Sequence, residues 1–194
     1  MRRRTFDTLM STGGVVITVM LLVAGALLFV GYSFANNNVK TQLSQQKIFF
    51  PEAGSDSLKD PAIAPYLNKY AGQQLTTGAQ AEAYANHYIA VHISKTSNGK
   101  TYAEMGALVR ANPTDTKLAE ARETVFKGET LRGLLLQAYA FWKVGQIALI
   151  AGIAAFASAA LMGLLTIMGF WHSRRVPETE EILAPKIRAN TVTV

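Results

Sequence analysis

The chain contains no cysteine. That excludes disulfide staples, thiolate nucleophiles, cysteine-ligated zinc or iron-sulfur clusters, and haem attached through a CxxCH motif. It assigns no compartment, because an exported domain can fold without disulfides. Histidine is nearly as scarce, with His87, His92 and His172 the complete set of three. None lies inside an apolar stretch, so a haem held by two histidines of those stretches is excluded. Phosphate-cradling GxxxxGK[ST], a GxGxxG after a strand and a GxSxG nucleophile elbow are all missing, which points away from the enzyme classes that depend on them.

Charge is absent from two long segments. Ile147 to Trp171 holds neither a charged residue nor a proline, and Gly13 to Phe34 is uncharged as well. About 20 apolar residues at ~1.5 Å each cross the ~30 Å hydrocarbon layer, so each segment reads as a membrane span. The net charge of +6 does not indicate nucleic acid. Arg2, Arg3, Arg4, Arg174 and Arg175 flank the apolar runs, and no concentrated basic stripe of the kind phosphate binding needs lies elsewhere.

These flanks give an orientation. Arginines before the first span and after the second place both termini in the cytoplasm of a multi-pass plasma membrane protein. The expected division is a cytoplasmic segment 1–12, a span 13–34, an extracytoplasmic helical domain 35–143, a span 144–171 and a disordered cytoplasmic tail 172–194. Tyr32, Tyr139 and Trp142 are expected at the outer interface, and Trp171, Arg174 and Arg175 at the inner one. Two features favour a cleaved leader instead: Arg3-Arg4-Thr5-Phe6 loosely matches a twin-arginine signal, and Ser33-Phe34-Ala35 has the small residues signal peptidase prefers. The apolar run exceeds the ~7 to 15 residues of a signal core, which favours an uncleaved anchor.

The predicted fold is all-α, two transmembrane helices bracketing a small extracytoplasmic helical domain. Val39 and Leu43 extend the first helix outward until Phe50-Pro51 ends it. Three prolines between Pro51 and Pro65 predict an irregular passage, with a short helix over Pro65 to Ala71. Thr77 with Gln80 and Thr101 with Glu104 have capping-box spacing. The first box opens a helix burying Ala83, Tyr84, Tyr88 and Val91 and stopped by Ser97-Asn98-Gly99. The second opens a helix with Tyr102, Met105, Leu108 and Val109 inward, closed by Asn112-Pro113. A third helix from Thr114 turns Leu118, Ala121, Val125 and Phe126 inward, with Gly128 expected to kink or end it. Leu131, Leu135, Ala138 and Trp142 then lead into the second span. Two spans around an outer bundle resemble a chemoreceptor module, but about twenty residues after Trp171 cannot hold a signalling output domain.

Candidate chemistry is sparse. His87 and His92 are five apart and point about 140° from each other on a helix, whereas metal ligands on one face need a spacing of three or four. Glu120 and Glu123 share a face, but neighbouring Lys117 and Arg122 make an ordinary solvated surface of it. No metal or cofactor is expected. The most informative pattern is Gly145, Ala148, Gly152, Ala155, Ala159 and Gly163, a helix-packing face of small residues along which another backbone could approach closely. Gly14, Thr18 and Gly25 of the first span offer a mate, while Ile147, Ile150, Phe156 and either Leu164 or Leu165 face lipid or a larger partner. Between Gly128 and Trp142, Arg132 and Gln137 sit among leucines, suited either to headgroups and a neighbouring protein or to the last helix of the outer bundle.

Three blocks, PYLNKYAGQQLTTGAQAEAYANHYIAVHI from Pro65, GKTYAE from Gly99 and FKGETLRGLLLQAYAFW from Phe126, resemble a family of two-span membrane proteins widespread in actinobacteria. Some relatives carry an aromatic ring-opening dioxygenase label, which the absence of a plausible set of histidine and carboxylate iron ligands argues against here. The layout is also similar to that of accessory subunits of the actinobacterial cytochrome bc-aa3 respiratory supercomplex. The sequence resemblance implies an actinobacterial plasma membrane protein without an assigned activity, and the layout suggests a non-enzymatic accessory subunit whose partners are other membrane proteins and lipid. The alternative is an outer module that binds a lipid or envelope ligand.

Overall fold

The computed structural model describes residues 2–177 and 180–182. Helix makes up 79% of them and no strand forms. In order come α1 (Arg3–Gln45), α2 (Asp56–Lys59), α3 (Ala64–Leu67) with a 3-10 turn (Asn68–Tyr70), α4 (Gly78–Tyr84), a π turn (Ala85–Ile89), α5 (Ala90–Ser97), α6 (Tyr102–Ala111) and α7 (Thr116–Ser173). Helices α1 and α7 are long and apolar enough to cross a membrane, with mean hydropathies of 2.6 and 2.3 over their most apolar windows.

The chain divides into two compact units, Met1–Phe29 with Leu149–Val194, and Val30–Ala148. The second unit has the larger core. Its fully buried side chains include Leu43 from α1, Ile63, Leu67 and Leu75 from the middle of the chain, and Val125 and Leu135 from α7. Each such side chain is worth roughly 1.5–3 kcal/mol relative to an exposed one. Phe50 joins this core, with its ring 5.1 Å from Tyr70 and 5.3 Å from Tyr84. Burial, with the neighbouring Tyr88 adding to it, pushes the Tyr84 phenol up to about 12.

Helix α1 stops at Gln45, short of Phe50-Pro51, because Lys47 turns the chain at φ 52°. The peptides beyond are then bound by the segment before α4: Leu75 donates to the Ile48 carbonyl at 2.9 Å and Phe50 donates to that of Gln73 at 2.9 Å. Both capping boxes form. The Gln80 carbonyl also accepts from the Thr76 backbone at 2.8 Å while its amide donates to Gln73 at 3.2 Å, which explains why this polar side chain is buried. Asn98 at φ 52° and Gly99 at φ 76° end α5 in the left-handed region, where glycine is favoured.

From Gly78 to Ser97 helix is continuous, but its middle is a π turn. Ala81, Ala85, Ile89, Ile93 and Ser97 are all buried, and they recur every four residues. A pure α-helix of 3.6 residues per turn carries such a series about 40° further round at each step. The wider π turn cancels part of that drift and keeps the five on one side.

Gly128 neither kinks nor ends α7. An added Cβ there would lie 2.7 Å from Ile93 Cγ1, so the glycine marks a close approach between α5 and α7. Phe126, expected inward, is 48% exposed and packs against Tyr102 at 5.4 Å.

Two outcomes follow from these contacts. Gly128→Leu should destabilise the Val30–Ala148 unit by about 1–3 kcal/mol through overpacking, and Ile93→Ala in the same chain should recover part of the loss, read by thermal unfolding in detergent. The second concerns acid. Lys95 donates to the Asp60 carboxylate and the Ala62 amide donates to it at 2.9 Å, holding Asp60 below its ordinary value of 3.8. A depressed folded-state value means the contribution is complete above the ordinary value and lost as pH falls through the folded one. Asp60→Asn should therefore lose less melting temperature than the wild type between about pH 5 and about pH 2.

Candidate functional site: the seam between the long helices

Within the unit of Met1–Phe29 with Leu149–Val194, α1 and α7 run antiparallel, and glycines take part in several of their close contacts. Ser11 sits on Gly169, Thr166 on Gly14, and Thr18 on Gly163 with its Cγ2 3.6 Å from where a Cβ would lie. The Phe156 ring covers Gly25 at 3.1 Å, and Gly152 faces the Gly25 carbonyl and Leu28 Cβ, both at 3.4 Å. Where apolar burial does not drive association, such contact is the main source of helix affinity, and a Cβ on the glycine would hold the backbones apart.

Gly152 and Ala159 of the expected packing face are buried, while Ala155 and Gly163 are partly so. Gly145 and Ala148 belong to the Val30–Ala148 unit, where Gly145 is buried with Ala35 Cβ 2.9 Å and the Tyr32 carbonyl 3.6 Å from an added Cβ. Ile147, Ile150, Leu164 and Leu165 are exposed. Phe156 differs from the expectation: it borders the seam, and its long ring reaches across to the space Gly25 leaves empty.

The aromatic and basic residues at the ends have specific partners. The Arg175 guanidinium lies 4.1 Å from the centre of the exposed Trp171 ring, a cation-π contact. Arg174 is exposed next to it. Tyr139 and Trp142 stack at 6.2 Å. Trp142 is half-buried against Gly78 and the core, so α4 uses part of the ring expected at an interface. The described part of the tail is tied down: Arg3 donates to the Glu180 carboxylate at 2.7 Å and to its carbonyl at 2.9 Å. The expectation of disorder for 183–194 lies outside the described residues.

Other candidates resolve into local contacts. His87 stacks on Tyr66 at 3.5 Å, and His92 Nδ1 lies 2.8 Å from the Tyr88 carbonyl. Glu123 pairs with Lys127 at 3.6 Å. Arg132 donates to Asn86 at 3.1 Å and pairs with Glu129 at 3.5 Å, so the π turn and α7 itself engage it. Gln137, Leu134 and Phe141 instead line a groove of about 430 Å³ in the Val30–Ala148 unit, floored by Val39 and Leu43.

Sequence reasoning passed over the polar end of the seam. Asp7, Ser11, Gly14, Thr166, Gly169 and His172 line a cavity of about 200 Å³. Asp7 Oδ2 and Thr166 Oγ1 are buried there without a hydrogen-bond partner, and His172 Nε2 is 3.9 Å from Asp7 Oδ2. The signal was present: Asp7, Ser11 and Gly14, and Thr166, Gly169 and His172, continue the three-and-four spacing of the seam beyond its apolar part.

Comparison of the chain with protein-family models, with curated proteins and with solved structures finds no match. The seam itself is open to a direct test, because the natural chain has no cysteine to interfere. Thr18→Cys with Gly163→Cys should form an intramolecular disulfide on mild oxidation, seen as one cross-linked peptide by mass spectrometry, whereas Thr18→Cys with Ile167→Cys, on the exposed side of α7, should not.

Proposed function

We propose that the chain is a two-span plasma membrane protein with both termini cytoplasmic and residues 35–143 outside the membrane, acting as a non-enzymatic accessory subunit of a larger membrane complex. The observation that carries this reading is the groove of the Val30–Ala148 unit. Leu134 and Phe141 on its rim are 57% and 41% exposed, at positions on the outer side of the apolar run that begins at Gly145. Leu134 stands about three turns before that run, where lipid tails would not cover it, and apolar side chains left exposed to water on the rim of a groove suit an interaction site. The rim carries amides from Asn38, Gln42, Gln46 and Gln137, which can donate to and accept from a partner backbone. Along the spans, exposed Ile147, Ile150, Ile153, Leu161 and Leu164 offer surface to lipid or to further membrane helices.

The partner favoured by the similarity of layout is the actinobacterial cytochrome bc-aa3 supercomplex. Purification of a tagged copy in mild detergent, followed by mass spectrometry, should recover its subunits in stoichiometric amount. Leu134→Glu with Phe141→Glu should release them while the protein stays in the membrane fraction. Recovery of the tagged protein as a lone species would count decisively against the reading.

The same groove supports a second reading, capture of a lipid or envelope ligand by the outer unit, since about 430 Å³ lies in the usual range of ligand pockets. A co-purifying lipid lost from the double glutamate variant, with no protein partner, would favour it.

A further inference from the structure

We propose that the notch where Asp7 of α1 faces His172 of α7 binds a primary ammonium group, supplied by the headgroup of a membrane phospholipid. The lipid source rests on the membrane-spanning reading above; the ammonium chemistry rests on the notch itself.

The cavity of about 200 Å³ is built from two helices. Thr166 is 8% exposed and Ser11 5%, so both hydroxyls are well inside. Thr166 Oγ1 and Asp7 Oδ2 have no hydrogen-bond partner. A buried carboxylate oxygen without a donor is costly, and such groups in folded proteins are matched by a donor that belongs there.

Two neighbouring cations are otherwise engaged. Arg3 places its guanidinium on Glu180 at 2.7 Å, and Arg175 stacks on Trp171 at 4.1 Å. His172, with its side chain 56% exposed, stays 3.9 Å from Asp7 Oδ2. Glu181 lies with Arg3 and Asp7 around an adjoining cavity and adds further negative charge. Asp7 is thus left for a cation from outside.

The donor set selects the kind of cation. A hard divalent metal takes about six to eight oxygens, usually with several carboxylates among them, and one carboxylate with two hydroxyls falls short of that. An ammonium group has three N–H donors and one charge. Asp7 Oδ2, Ser11 Oγ and Thr166 Oγ1 match that number, and the carboxylate balances the charge. Met10, Met162 and Leu165 complete the walls with apolar surface suited to a short methylene stem. The notch also straddles the end of each apolar run, with Asp7 and His172 beyond the runs and Gly14, Thr166 and Gly169 just inside them, the level at which lipid headgroups meet their tails.

The test uses full-length protein in detergent micelles and native mass spectrometry with three added lipids. Phosphatidylethanolamine carries the ammonium; phosphatidylcholine keeps the phosphate and positive charge but has no N–H; phosphatidylglycerol has no amine. Retention of phosphatidylethanolamine about tenfold better than the other two is expected, as for a hydrogen bond to a charged group. Asp7→Asn and, separately, Thr166→Val should bring the three near parity with an unchanged circular dichroism spectrum. Should Asp7→Asn fail to fold, Ser11→Ala with Thr166→Val serves in its place. Equal retention of the three lipids by the wild type, with no binding of free ethanolamine, overturns the proposal. Ethanolamine binding that depends on Asp7, without preference among the lipids, overturns the lipid source and keeps the ammonium site. Extraction of cell membranes with alkaline carbonate separates the underlying reading: release of the protein would refute the spans and leave the micelle result standing.

Discussion

Two helix backbones come into contact only where side chains leave room, and that constraint governs this molecule in both of its units. Gly14, Gly25, Gly152, Gly163 and Gly169 each receive a side chain or backbone from the facing helix. In the Val30–Ala148 unit, Gly78 receives Trp142, Gly128 receives Ile93, and Gly145 receives Ala35. Glycine inside a helix costs roughly 1 kcal/mol relative to alanine. Here the cost is offset by dispersion contacts that no other residue would permit.

The two units use the device on different terms. In the Val30–Ala148 unit, close approach is reinforced by a leucine-rich core and by capping boxes that secure two helix starts. In the other unit, most of the apolar surface faces outward, since only 11% of the most apolar window of each long helix is buried. There the packing must come from shape. Hydroxyls take over at its polar end, where Ser11 and Thr166 occupy the hollows of Gly169 and Gly14.

What could be read in the sequence was whatever is set by neighbours along the chain. The helical class, the two apolar helices and both capping boxes depend on length, hydropathy and three-residue spacing, and all are local. The end of α1 was misplaced because Lys47, which carries the positive φ, has no residue type that announces it. Gly128 was misread for a related reason: a glycine that breaks a helix and one that admits Ile93 look alike until the facing element is known. Likewise, Asp7 and His172 stand far apart in sequence, and nothing local to either announces the other. Placement of Phe156 failed on reach, since helical angle locates a Cβ and not the far edge of a ring.

The π turn over Ala85–Ile89 carries a different kind of information. Removing one residue there would let the run close as ordinary α-helix, with the usual i to i−4 bonds throughout. Because the wider turn already takes up that extra residue, everything after the deletion would keep nearly the facing it has now, whereas closing the full-length run as ordinary α-helix would swing it by about 100°, taking Ile93 away from Gly128. Secondary structure and tertiary fit are therefore separable at this one place: a chain of the same length without the π turn would be as helical as this one and would no longer know which way to face.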